Sequence, residues 1–150
     1  MPLDAATLCL AASGVFLMTG LLTGLWKYLH MAVSADATAP VYVDIAHRAS
    51  LMYAFASLVL KDLVPYSPFG AAATRWVVAA PLLFFALAIG LYVLHGLLRD
   101  TDNQLRAPHR LGQRNLPALM IHGFMAMLAL AEIGGVGILL WGFFATTLAR

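Results

Sequence analysis

Four apolar segments joined by short polar connections constrain this chain more than any other feature. Segments 7–26 and 76–98 contain no Asp, Glu, Lys or Arg, and each can cross a hydrocarbon core, which requires about 20 residues. A third segment, 116–149, is interrupted only by Glu132. The remaining segment, 42–60, is long enough only if its charged residues lie on the first helical turns, near the headgroups or facing protein.

Composition agrees with a membrane protein, since 62% of the residues are hydrophobic and 11% are charged, against about a quarter charged in soluble domains. We therefore predict an all-α integral membrane protein, a four-transmembrane-helix bundle that forms a single domain over residues 1–150. The predicted spans are approximately 6–27, 42–62, 75–98 and 116–148. The bacterial inner (plasma) membrane is the expected location.

Several classes of function are disfavoured by the sequence. The arginines between the third and fourth spans lack interleaved aromatic residues, so we expect no nucleic-acid partner. Phosphate loops, dinucleotide-binding glycine patterns and zinc-protease helices are absent from the sequence. Cys9 is the only cysteine, which excludes an intrachain disulfide and a thiolate cluster.

The five histidines fall at one end of the predicted bundle. His30 follows the first span, His47 opens the second, His95 closes the third, and His122 lies in the first turns of the fourth. His109 lies in the connection beside them. Because consecutive spans of an up-down bundle alternate in direction, this end of the membrane carries every histidine.

His47 is the strongest candidate ligand, because a neutral imidazole can bind haem iron at a membrane helix end without burying a new charge. His95 and His122 are either hydrogen-bonded structural residues or site residues. Tyr92 shares a helix face with His95, and this face either lines a pocket or is a packed aromatic stripe. Glu132 is protonated, paired or exposed to a water-filled cavity, and could relay protons or make a neutral interhelical hydrogen bond.

Three short motifs resemble the styrene oxide isomerase family. They are Leu-Leu-Thr-Gly-Leu-Trp at 21–26, Ala-His at 46–47 and Gly-Leu-Tyr at 90–92. Segment 47–92 can be aligned with sequences of the family without a gap. The resemblance implies a homotrimer that binds haem b between neighbouring subunits through one axial histidine. His47 matches this axial ligand, and we include Arg48, His95 and His122 as candidate cofactor-binding residues.

The resemblance also implies a redox-neutral isomerase. Ferric haem would act as a Lewis acid, converting a small hydrophobic epoxide that enters from the bilayer into an aldehyde. Tyr92 matches the family tyrosine that orients the substrate, and Tyr53, which replaces an asparagine, is the second candidate catalytic residue. Phe84 replaces a family aspartate.

Two other functions are compatible with the sequence. A haem protein for gas binding or electron transfer would use His95 and His122 as paired ligands of a cytochrome b-like site. A membrane interaction subunit without a cofactor would use its histidines only for structure.

Overall fold

Four long helices dominate the computed structural model, which describes residues 4–148 and is 79% helical. They are α1 (Ala5–Val33), α2 (Val41–Leu63), α3 (Ala71–Leu98) and α4 (Ala118–Leu148). Each is long and apolar enough to cross a membrane, which confirms the all-α prediction of four membrane-length helices. Residues 1–3 and 149–150 of the predicted domain lie outside the described residues.

Two helices extend at least four residues beyond the predicted spans. Helix α1 continues past the predicted end at residue 27 to Val33, and α3 begins at Ala71 rather than at residue 75. Hydropathy marks only the part of a helix that suits lipid, whereas backbone hydrogen bonding continues until a cap or turn residue stops it. At the start of α1, Asp4 provides such a cap, because its side chain accepts a hydrogen bond from the Thr7 amide at 2.7 Å.

A small hairpin was not anticipated in the connection between α3 and α4. Strands β1 (Arg110–Leu111) and β2 (Arg114–Asn115) pair antiparallel. Gly112 makes the turn with a φ of 61°, a left-handed conformation that glycine adopts without steric cost. Each strand has only two residues, too few for the alternating hydrophobic pattern by which strands are recognised in a sequence.

Helices α1 and α2 pack closely along their length. At Gly20 an added Cβ would lie 2.9 Å from Cγ of Leu51, so a larger residue would force the Leu51 side chain to move. The Ser13 hydroxyl donates a hydrogen bond to the Ala54 carbonyl across the two helices at 2.9 Å. Small residues and interhelical hydrogen bonds are the usual basis of helix association in lipid.

Helix α4 packs chiefly through its C-terminal half, where its buried residues among those described are Gly135, Leu139 and Gly142. Gly142 lies directly against the backbone carbonyl of Tyr66, at the end of the bundle opposite the histidines. An apolar cavity of about 240 Å³ lies between the first turns of α4, the end of α3 and the connection that joins them. Helix α4 therefore packs most closely at the end of the bundle away from the histidines.

We predict that Gly135→Ala destabilises the bundle by roughly 1–3 kcal/mol, the usual cost of overpacking. A Cβ there would lie 2.9 Å from the Val77 carbonyl oxygen and 3.1 Å from Cγ of Pro81, and backbone atoms cannot move aside cheaply. Gly137→Ala is the matched control, because an added Cβ there meets nothing within 4 Å. Thermal unfolding in detergent measures the stability of both variants. Equal unfolding midpoints would contradict the prediction.

Candidate functional site

His47 lies on α2 with its ring against α1. Its Nδ1 lies 2.8 Å from the Gly20 carbonyl oxygen, and because a carbonyl only accepts hydrogen bonds, Nδ1 carries the hydrogen. In the neutral ring this leaves the lone pair on Nε2, the tautomer that binds a metal through Nε2. The backbone of α1 thus fixes both the tautomer and the orientation of this imidazole.

Gly24 makes room for the His47 ring. A Cβ at this position would lie 2.8 Å from Cε1 and 2.9 Å from Nδ1 of the imidazole. The pattern of glycines four residues apart in α1 therefore serves two contacts. Gly20 accommodates Leu51 and accepts the histidine hydrogen bond, and Gly24 accommodates the ring itself.

A charged cluster lies one turn closer to the membrane surface than His47. Asp44 pairs with Lys27 of α1 at 2.6 Å and with Arg48 at 2.7 Å. Two cations share one carboxylate, so the cluster keeps a net positive charge. The side chain of Arg48 is 65% exposed, which leaves much of its guanidinium available to another anion.

Tyr53 and Tyr92 line a common cleft between α2 and α3. The cleft has a volume of about 240 Å³. Its other lining residues are Ile45, Arg48, Ala49 and Met52. The Tyr53 ring stacks on Phe85 of α3 with a centroid distance of 4.2 Å, and the Tyr92 ring stacks on Tyr42 at 6.0 Å. The structure thus brings together the two tyrosines that the sequence selected and holds each ring by an aromatic neighbour.

His47 and the tyrosine cleft occupy different faces of α2. His47 faces α1, whereas Tyr53 faces α3 and α4. Between these faces runs an outer surface of α2 where Met52 and Phe55 are each 70% exposed. One copy of the chain therefore presents the histidine and the tyrosines on opposite sides of this outer surface.

His95 is buried at the end of α3 in a network with the following loop. Its Nδ1 lies 2.8 Å from Asp100 Oδ1, its ring packs on Tyr42 at 4.8 Å, and the other Asp100 oxygen accepts the Gly112 amide hydrogen. Burial alone would raise the pKa of Asp100, but the hydrogen bonds from His95 and Gly112 outweigh it and lower the pKa. This network anchors the hairpin to α3.

His122 and His95 have different neighbours. His122 is exposed on α4, and its ring contacts that of the buried His109 with a centroid distance of 5.6 Å. His30 lies near Trp26 and Arg99 at the same end of the bundle. Among residues 4–148, no group of three or more His, Cys, Asp and Glu side chains is arranged to hold a metal ion.

Glu132 is a polar residue whose neighbours the sequence did not reveal. It projects from α4 beside Tyr53 and lies within electrostatic range of Tyr92. Its Oε1 is buried and makes no hydrogen bond within the described chain. Phe84, by contrast, packs on Phe124 of α4 at 5.7 Å. A carboxyl group in an otherwise apolar helix was the only sequence signal for this cluster.

No protein-family model, no curated protein and no solved structure matches the chain.

We predict that Asp100 stabilises the loop in a pH-dependent way. Its pKa is lowered in the folded protein, so its contribution is complete above the unfolded value of about 3.9 and is lost as the pH falls through the folded value. Asp100→Asn should therefore lower the melting temperature at neutral pH, and the difference from the unmodified chain should shrink below about pH 4.

Asp102→Asn is the matched control, because Asp102 is 59% exposed and pairs with the exposed Arg106. Melting curves from pH 3 to 7 compare the variants. A deficit in Asp100→Asn that stays constant across this range would contradict the assignment.

Proposed function

We propose that this chain is a membrane haem b protein, related to styrene oxide isomerases, that converts a small hydrophobic epoxide into a carbonyl compound. The observation that carries the proposal is the 2.8 Å contact between His47 Nδ1 and the Gly20 carbonyl oxygen. Haem-ligating histidines are oriented in this way, by a hydrogen bond from the ring nitrogen that does not bind iron. His47 would bind the haem iron.

The residues around His47 fit haem in chemistry as well as in orientation. Gly24 lacks the Cβ that would collide with the ring, so the imidazole packs directly against the backbone of α1. Arg48 and Lys27 supply positive charge near the membrane surface, where they would hold the two carboxylate groups of haem b. Guanidinium and carboxylate groups form strong paired hydrogen bonds.

A second copy of the chain would complete the site. His47 and the pair Tyr53 and Tyr92 lie on different faces of α2, separated by an exposed surface that includes Met52 and Phe55. Packing of this surface against a neighbouring copy would bring the histidine of one subunit towards the tyrosines of the next. The proposal therefore includes the homotrimer implied by the family resemblance, with haem at the subunit interfaces.

The chemistry divides between haem and protein. When bound, ferric haem supplies a Lewis acid that polarises the epoxide carbon–oxygen bond. Tyr92 and Tyr53 would orient the substrate by donating hydrogen bonds to its oxygen. Ile45, Ala49 and Met52 would exclude water from the cleft, which favours rearrangement to a carbonyl compound over hydrolysis to a diol.

We predict that His47→Ala lowers haem content at least about tenfold, since removal of even a supporting residue of a metal ligand costs 10–100-fold in affinity. The absorption spectrum of the purified protein measures haem, and conversion of styrene oxide to phenylacetaldehyde measures activity, which should fall in parallel. His30→Ala, at the same end of the bundle, is the control. Full haem content in His47→Ala, or its loss only on substitution of His95 or His122, would overturn the proposal.

We also predict that Gly24→Ala weakens haem binding roughly tenfold, as expected for a change in the support of a metal ligand. The added methyl group would displace the ring from its place beside Gly20. Gly14→Ala is the matched control on the same helix, because a Cβ there has no neighbour within 4 Å. Haem titration of both variants provides the comparison, and equal affinities would show that α1 does not orient the imidazole.

A further inference from the structure

The apolar cavity beside the end of α3 is separate from the tyrosine cleft and shares no lining residue with it. Most of its wall is apolar, with Leu91 from α3, Leu111 from the hairpin, and Ile121 and Phe124 from α4. Its two polar lining residues are His95 and Gln104. A mainly apolar wall with few polar groups is typical of a small-molecule site. A cavity of about 150 Å³ can bind benzene, so this one, at about 240 Å³, can hold a molecule with a single ring.

The His95 ring has a fixed orientation at the edge of this cavity. Its Nδ1 lies 2.8 Å from Asp100 Oδ1, and the two side chains are only 5% and 4% exposed. Asp100 is held in turn by the Gly112 amide, which donates to its other oxygen. Because a carboxylate only accepts hydrogen bonds, Nδ1 carries the hydrogen. In the neutral ring Nε2 is then an acceptor.

Nε2 of His95 makes no hydrogen bond among residues 4–148. Within that part of the chain, Glu132 Oε1 is the only buried side-chain nitrogen or oxygen atom without a hydrogen bond, so the Nε2 atom reaches open space. Two spaces adjoin the ring, the apolar cavity and a polar groove that Asp100 also lines. Nδ1 points to Asp100, which does not line the cavity. Since the two ring nitrogens point in nearly opposite directions, Nε2 lies on the side of the cavity.

Gln104 supplies a second polar group beside the imidazole. Its backbone amide donates to the Tyr42 hydroxyl at 2.6 Å, and its carbonyl oxygen accepts from His109 Nδ1 at 3.1 Å. The Tyr42 ring packs on His95 with centroids 4.8 Å apart, which keeps Gln104 close to this histidine. The Gln104 side-chain amide makes no hydrogen bond within the described chain, so it is available to a ligand.

We propose that this cavity is a second binding site, which takes small molecules that carry one ring and one hydroxyl group, such as phenols. The hydroxyl group donates to His95 Nε2 and accepts from the Gln104 amide, since a hydroxyl can do both at once. A hydrocarbon of the same shape leaves both protein groups without a partner. The site contains neither His47 nor the two cleft tyrosines, so it does not rest on the proposed function.

Phenol and toluene are matched probes, because they differ only in the replacement of the hydroxyl by a methyl group. Met120 and Met125 line the cavity, and Met18 on α1 is an internal reference. In the full-length protein in lipid nanodiscs with ¹³C-methyl methionine, phenol should shift the NMR signals of the two cavity methionines and not that of Met18. After correction for partitioning into lipid, phenol should bind roughly three- to tenfold more tightly than toluene, as expected for one hydrogen bond. Equal affinities, or shifts confined to other methionines, would overturn the proposal.

His95→Asn separates recognition of the hydroxyl from folding. The asparagine amide can still donate to Asp100 from the position of Nδ1, but it has no acceptor in the place of Nε2. This variant should lose the preference for phenol and keep its affinity for toluene. Gln104→Met, which keeps the length of the side chain without the amide, tests the second contact independently and should also reduce the preference. A phenol preference that survives both substitutions would overturn the proposal.

Leu91→Trp tests the cavity itself, because the larger side chain fills the space and should abolish binding of both probes. Leu97→Trp is the matched control on the same helix, since Leu97 is 65% exposed and does not line the cavity. Unchanged binding in Leu91→Trp would place the probes elsewhere and contradict the proposal.

Nitrogen-15 NMR of the histidine rings tests the hydrogen bond in the unmodified protein, with the His95 signals assigned by their loss in His95→Asn. Nδ1 should carry the hydrogen, and the Nε2 signal should move with phenol and not with toluene. A protonated Nε2, or a signal that phenol does not move, would overturn the proposal. None of these measurements requires haem. Protein that binds no haem but prefers phenol would keep this site and lose the proposed function, whereas normal haem and turnover without the preference would do the reverse.

Discussion

The close packing of α1 against α2 at Gly20 and Gly24 is the contact on which the rest of the structure depends. Lipid provides no hydrophobic drive between membrane helices, so their association relies on close approach and on hydrogen bonds. Because neither glycine has a side chain, Leu51 and the His47 ring can pack directly against α1. This close approach also exposes a backbone carbonyl to the imidazole. The residues that join the helices therefore also orient the strongest ligand candidate.

The polar groups of the bundle are sorted by depth. Charged residues gather around Asp44, within the first turn of α2, where water and headgroups can solvate them. Nine residues deeper, about 14 Å along the helix axis, the polar cluster contains Tyr53 and Glu132, whose groups can be neutral. This order follows the cost of burying charge in hydrocarbon. It places a region of net positive charge above a region whose polar groups can be neutral.

Sequence patterns were sufficient to predict the four helices and the end of the bundle that carries the histidines. The length of each apolar segment determines the helices, and the alternating direction of consecutive helices determines where the histidines lie. These patterns could not place Glu132 beside Tyr53, since that contact depends on the rotation and depth of α4 relative to α2. The partner of His95 was equally hidden, because Asp100 reaches it only through the fold of a polar connection. Composition and periodicity therefore do not predict which side chains of distant elements come into contact.

The uneven packing of α4 has a mechanical consequence. Its contacts at Gly135, Leu139 and Gly142 close the bundle at the end away from the histidines, while its first turns leave a cavity beside Leu91 and His95. The packing of α4 is therefore tight at one end of the bundle and looser in the half that holds the histidines. Regions with few buried contacts open at the lowest free energy. The N-terminal half of α4 is therefore the part of the bundle expected to separate from its neighbours at the lowest free energy.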